Sequence, residues 1–248
     1  MSDRAEVVGG RRASLEALRS GRVLEILVDE RVRETPSVRE LRSAAEASGI
    51  RVRRVSRAEL DRLAEDHHGV VARVATLREL GERDLASWAF DADALVVVLD
   101  GVSDPQNLGA AARSAEAAGA AMLVTRTRRA AAVTPAAVRA SAGALLHLPH
   151  ARVANISRAI GRLQEAGFSV VGLDERAGST VYDEPCPAGR VALVLGSEGG
   201  GLSRLVREAC DALVALPMYG RVSSLNVSAS LAAVLYAYVL PSRGAPQA

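Results

Sequence analysis

Three stretches of this chain gather residue types that handle charge and protons at close quarters. In Leu99-Asp100-Gly101-Val102-Ser103-Asp104-Pro105-Gln106-Asn107-Leu108-Gly109-Ala110-Ala111-Ala112-Arg113, an apolar run ends in a Pro-containing turn, and Asn107 sits where a helix N-cap belongs. Arg113 follows less than two helical turns later, so it can point toward the same cleft; a plainer reading is a capped helix with an exposed Arg. Gly196-Ser197-Glu198-Gly199-Gly200-Gly201-Leu202-Ser203 is a glycine-rich loop, whose bare backbone lets a ligand approach amide groups closely. It is neither G-x-G-x-x-G nor a phosphate-binding Walker loop, and Glu198 within it would repel a phosphate. Such a loop suits a ligand that is uncharged or cationic on that side. The third stretch, Leu216-Pro217-Met218-Tyr219-Gly220-Arg221-Val222-Ser223-Ser224-Leu225-Asn226-Val227-Ser228, runs into an apolar helix through Leu240, capped by Ser224 or Asn226.

The elements that must position these stretches alternate along the chain. Near-continuous apolar runs at 94–99, 121–124, 169–173 and 191–195 suit strands buried on both faces of a parallel sheet. Helical stretches at 107–118, 155–166 and 203–209 lie between them, which predicts an α/β fold with helices on both faces. The first two polar stretches then fall at carboxyl ends of parallel strands, where open α/β sheets bind ligands. Ahead of this domain, strand patterns at 23–28, 50–55 and 70–74 and helical patterns at 37–47 and 56–63 mark a smaller α/β domain. These patterns place a small domain over 1–80, a linker over 81–92, the parallel-sheet domain over 93–243 and a tail over 244–248.

Composition excludes several chemistries. All 31 basic residues are Arg, so Schiff-base, pyridoxal-phosphate and Walker-lysine mechanisms are ruled out. The 29 acidic residues nearly balance them, and neither half is strongly basic, so net charge does not argue for a nucleic-acid partner. Local clusters stand at Arg51, Arg53, Arg54 and Arg57 and at Arg126, Arg128 and Arg129. Cys186 and Cys210 lack metal-ligand spacing and read as reduced thiols, so no metal is expected. No signal-like run follows Met1, and the longest apolar stretch, Leu231 to Leu240, is half the ~20 residues that span a bilayer, so the expected location is the cytoplasm without a membrane partner.

In order and spacing, the three stretches resemble the N-x-G-x(3)-R, G-x-E-G and S-x-N motifs of the SpoU/TrmH family of RNA ribose 2′-O-methyltransferases, of the knotted SPOUT superfamily. Val7-Val8-Gly9-Gly10-Arg11-Arg12-Ala13 and His67-His68-Gly69-Val70-Val71-Ala72 are similar to the family's small RNA-binding domain. The nearest branch methylates a guanosine ribose in 23S ribosomal RNA; thiostrepton-resistance enzymes, with another ribosomal site, share the motifs, and transfer RNA is a further alternative. The resemblance implies a deep trefoil knot in the second domain, S-adenosylmethionine held by main-chain groups at Gly196, Leu216 and Leu225, and a homodimer in which motif-one residues approach the partner's cofactor. It assigns the catalytic work to Asn107, Arg113, Glu198, Ser224 and Asn226, and RNA contacts to the first domain, where Arg51, Arg53, Arg54 and His67 are the candidates.

The chemistry is an in-line transfer to a ribose hydroxyl that must also lose its proton. The family proposes the motif-one Arg as base, but a guanidinium normally keeps its proton, so stabilising the developing alkoxide or gripping a phosphate suits Arg113 better. The sequence leaves these roles open. A non-catalytic knotted RNA-binding protein would not need all five polar residues, and a nucleotide-dependent oxidoreductase would need a glycine fingerprint that this chain lacks.

Overall fold

Valine- and leucine-rich runs become strands throughout, and their burial separates two kinds of sheet. The computed structural model describes residues 5–19, 21–75, 80–183, 185–197, 199–222 and 224–243. Two units are present: one comprises Met1–Arg78 with Val133–His147, the other Glu79–Ala132 with Leu148–Ala248. The tail over 244–248 lies outside the described residues.

In the first unit, β1 (Ala5–Gly9), β2 (Val23–Asp29), β3 (Arg51–Val55) and β4 (Val70–Ala75) form a mixed sheet in the order β1-β4-β2-β3. Helices α1 (Arg11–Arg19), α2 (Pro36–Ala47) and α3 (Arg57–Asp61) connect them. Thr35 caps α2 with Pro36 in the first turn, and Ser56 caps α3 by accepting from the Glu59 amide. β3 is an edge strand paired in parallel with β2, so one side of its ladder stays open and its arginines sit at the sheet's margin.

The second unit is a six-stranded sheet, all parallel, in the order β10-β8-β9-β5-β6-β7. Its strands are β5 (Leu95–Asp100), β6 (Met122–Arg126), β7 (His150–Val153), β8 (Ser169–Leu173), β9 (Val191–Gly196) and β10 (Ala212–Val214). Every residue of β5 is buried, as a central strand covered on both faces must be. On one face Val96, Val98 and Val194 pack with Ile156, Ile160 and Leu163 of α7 (Ile156–Glu165) and Val206 of α8 (Arg204–Ala209). Alternation turns Val97 and Leu99 to the other face. There α5 (Pro105–Ala117) packs against α9 (Val227–Val234), which also meets β9. No helix among the described residues is long and apolar enough to cross a membrane.

Several local expectations are corrected. The 81–92 segment is no bare linker: α4 (Glu82–Ser87) buries Leu85 in the second unit's core, and Phe90 meets Phe168 edge-on with ring centroids 4.8 Å apart. Arg190 anchors the same stretch by donating to the Phe90 and Asp91 carbonyls. Amphipathic spacing is weak there because only a few of its side chains reach the core. Residues 133–147, expected in the sheet domain, group with the first unit, where α6 (Pro135–Ala140) packs on β1. Asp104, not Asn107, caps α5, because Pro105 takes the first helical position and the Asp104 carboxylate reaches the Gln106 amide at 2.9 Å. The C-terminal helix is not continuous to Leu240: α9 passes into a π turn over Leu235–Val239 and a 3-10 turn over Leu240–Arg243. β1, α1, β7 and β10 carry no periodicity strong enough to have been expected.

Gly172 in β8 exposes how tightly one side of this sheet is packed. A Cβ there would lie 2.8 Å from Leu213 Cδ2 and 2.9 Å from both Cys210 Sγ and Leu202 Cδ1. Burial, and behind it the charges of Asp211, Asp100 and Asp174, push the Cys210 thiol up to about 12. Gly172→Ala should cost about 1–3 kcal/mol of stability by overpacking, read as a lower midpoint in urea with an unchanged slope. An unchanged midpoint would mean that these three side chains can move aside.

Candidate active site

A cleft of about 460 Å³ opens where β8, β9 and β10 end, in the size range of small-ligand sites. Leu173, Leu195 and Gly196 bring its floor from the strands, and Leu216, Leu225 and Val227 close it from the C-terminal segment. Gly196, Leu216 and Leu225, the three positions expected to hold the cofactor, therefore meet in one place although up to 29 positions separate them in sequence. Ser224 and Asn226 line the same cleft.

The glycine loop takes its form from a close backbone approach. Ser197 and Gly201 exchange both amide-to-carbonyl hydrogen bonds, at 3.1 and 3.0 Å, so the loop folds back onto the end of β9. A Cβ on Gly196 would fall 2.0 Å from the Gly201 carbonyl carbon, which no side chain can do. Gly199 and Gly201 adopt positive φ to complete the turn. Asp100, buried at the end of β5, accepts from the Ser203 amide at 3.2 Å and pairs with Arg126 at 2.7 Å, fixing where α8 begins.

A side-chain bridge joins the first and third motifs. Asn226 caps α9 by accepting from the Ser228 amide at 2.9 Å and from its hydroxyl at 2.6 Å, so the cap is Asn226 and not Ser224. Its amide donates to Asn107 Oδ1 at 2.8 Å, tying the start of α9 to the first turn of α5. Arg113 is exposed on α5, does not line the cleft, and has no ion pair or hydrogen bond among the described residues. Glu198 lies outside the described residues.

Charge distinguishes what this cleft can accept. Asp174 and Glu175 are its charged lining residues among those described, and no Arg or His contributes. Asp174 is committed to structure, accepting from Arg207 Nε at 2.7 Å and the Arg176 amide at 2.9 Å, whereas Glu175 is exposed and has no side-chain partner among the described residues. A wall with acids and no guanidinium suits a cationic ligand and opposes a phosphate. Neither acid stands out in the sequence, but both follow directly on an apolar strand, in the position where parallel sheets hold ligands.

Within the first unit, two of the residues expected to contact RNA are engaged by the fold itself. His67 is buried: its Nδ1 accepts from the Gly69 amide at 2.9 Å, so Nε2 carries the proton and donates to Asp61 at 2.9 Å. It braces a turn in which Asp66 and His68 both have positive φ. Arg53 is held by Glu25 at 3.3 Å and Glu59 at 2.8 Å, which already answer its charge. Arg51 and Arg54 are exposed on β3.

The family model described as the SpoU rRNA Methylase family matches residues 94–236, and a model for RNA 2′-O ribose methyltransferase substrate binding matches 7–80. The chain belongs to the SpoU rRNA methylase family. Proteins named uncharacterized tRNA/rRNA methyltransferase are similar to it: that of Mycolicibacterium vanbaalenii is 42% identical, covering 94% of this chain and 76% of its own length. The Mycobacterium ulcerans protein is 40% identical over the same shares. Among solved structures, the SpoU methyltransferase AviRb from Streptomyces viridochromogenes, in complex with AdoMet, matches with a TM-score of 0.79 at 30% identity, covering 98% of this chain and 92% of that one. A crystal structure of an RNA 2′-O ribose methyltransferase matches at 0.79 and 29%, covering 97% and 90%. As a SpoU methylase, this chain is an RNA methyltransferase with a parallel α/β catalytic fold.

Gly196→Ala should abolish ligand binding in the cleft of this methylase, because the 197–201 turn cannot close over a Cβ. Titration calorimetry with S-adenosylmethionine checks this, with circular dichroism to show that the fold remains. Wild-type affinity in the variant would remove the close approach from the site's requirements.

Proposed function

We propose that this SpoU methylase transfers a methyl group from S-adenosylmethionine to the 2′-oxygen of a guanosine ribose in 23S ribosomal RNA. The observation that carries the reading is the meeting of Gly196, Leu216, Leu225, Ser224 and Asn226 around one acid-walled cleft with no cationic lining residue among those described. S-adenosylmethionine supplies a methyl already activated by a sulfonium. The chain's own work is therefore alignment and charge stabilisation. Main-chain groups of the 196–201 turn and the leucines hold the cofactor, and the trefoil knot forms as residues 216–226 return past that turn toward α9. Asn107, Asn226 and Ser224 orient the ribose, with Glu198 assigned the same work from its place in the loop. Arg113 stabilises the alkoxide that develops on the ribose oxygen.

A homodimer belongs to this reading, because Arg113 lies off its own chain's cleft. Tyr219, Val222, Leu225 and Tyr236 form exposed apolar surface on the same C-terminal segment, which suits a second copy of the chain. Arg51 and Arg54 on the edge strand of the first unit meet RNA phosphates. The setting is the cytoplasm, where the two free cysteines stay reduced. The relatives' shared name supports transfer RNA as a second substrate class.

Mass spectrometry of ribosomal and transfer RNA fragments, from cells with and without the gene, tests the proposal. A ribose methylation in 23S RNA that disappears with the gene is the expected result; a lost mark in transfer RNA alone would move the substrate, and no lost mark would overturn the function. The shared site has its own test. Arg113→Ala and Gly196→Ala should each be inactive alone, and mixing the two after subunit exchange should restore activity, since one mixed site has both an intact cleft and an Arg113. Failure to complement in a sedimenting dimer would place Arg113 in its own chain's site.

A further inference from the structure

The arginine cluster that follows β6 is not used by any step above. Thr127 is clamped to β7, donating its amide to the Val153 carbonyl at 2.9 Å and accepting from Arg152 Nη2 at 3.2 Å. Four residues on, the Ala131 amide donates to the Val102 carbonyl at 2.8 Å, which ties the loop to the motif-one turn between β5 and α5. Arg126 is spent on the buried Asp100. Between the clamps, Arg128 and Arg129 are exposed, and neither has an ion pair or hydrogen bond among the described residues. Arg129 moreover sits at φ 55°, a left-handed conformation uncommon for a residue with a side chain.

A loop tied at both ends, strained between them and presenting two exposed guanidinium groups beside motif one is built to hold an anion. The backbone that carries them is held in place, so little main-chain freedom is lost when they engage. Guanidinium forks match phosphate oxygens bidentately. The cleft itself carries acids, so the anion is not the methyl donor. We infer that Arg128 and Arg129 grip backbone phosphates of the RNA strand beside the target ribose, making a phosphate-holding site on the catalytic unit itself, additional to the arginines of the first unit. This inference rests on the methyltransferase reading above. Its function is positional: the grip sets the register of the ribose against the donor without reading bases.

The test uses the full chain with in vitro transcribed 23S ribosomal RNA and with transfer RNA transcripts, taking whichever the unaltered chain methylates. Arg128→Gln combined with Arg129→Gln should weaken RNA binding about tenfold, leave S-adenosylmethionine affinity unchanged, and lower the slope of log affinity against log salt by about 1 to 2 units. The corresponding Lys pair should keep most of that slope, because the slope counts charges at phosphates. Arg158→Ala with Arg162→Ala removes the same net charge from arginines already paired with Glu82 and Glu165, and should leave the slope as it is. A Gln pair that behaves like this control overturns the inference while the methyltransferase reading stands. If the unaltered chain methylates neither RNA, that reading fails and the inference falls with it.

Discussion

The catalytic unit depends on a contact in which there is no side chain at all. The Gly201 backbone lies where a Cβ on Gly196 would be, and this approach lets the loop after β9 turn back and leave a cleft at the carboxyl end of the sheet. Only a strand end with a bare α-carbon permits it. What flanks the contact then follows. Asp100, one strand over and in register with Gly196, holds the Ser203 amide and so fixes the other end of the loop. The first polar turn and the glycine turn are thereby built on adjacent strands of a fully buried sheet, and inherit its rigidity.

The C-terminal segment completes the site through polar contacts as well as packing. Asn226 serves two elements at once: its carbonyl oxygen caps α9, and its amide reaches Asn107 on α5. A residue of the same size without both a donor and an acceptor could do only one of these. The bridge lies at the cleft, so the packing of α5 on α9 and the geometry of the site are coupled by one side chain.

Charge is distributed with equal economy. The cleft wall is acidic, and the exposed guanidinium groups of Arg113, Arg128 and Arg129, which have no partner among the described residues, stand on α5 and the loop after β6. A cationic donor and an anionic strand are the ligands that such a division separates. In the first unit, Arg53 shows that an arginine in a basic run can be occupied by its own sheet, since Glu25 on the neighbouring strand, opposite Arg51, reaches it diagonally across the ladder.

Buried parallel strands, the helices between them, the family and the motifs whose residues Gly196, Leu216, Ser224, Leu225 and Asn226 meet around one cleft were legible in the sequence, because each rests on local patterns: unbroken apolar runs, glycines, and polar residues at strand ends. Other features depend on which groups the fold brings together. Whether Asn107 caps a helix is decided by Pro105 and Asp104 claiming the first turn, and Asn107 instead meets Asn226, 119 positions away. That His67 is buried and Arg53 paired follows from Asp61, Gly69, Glu25 and Glu59 closing around them. The segment over 81–92 joins the second core through Leu85 and Phe90, a handful of contacts too sparse to impose a period on the sequence. Local pattern reports what a residue prefers; only the assembled fold decides which neighbour reaches it, because hydrogen bonds and charges act over a few ångströms of space and take no account of distance along the chain.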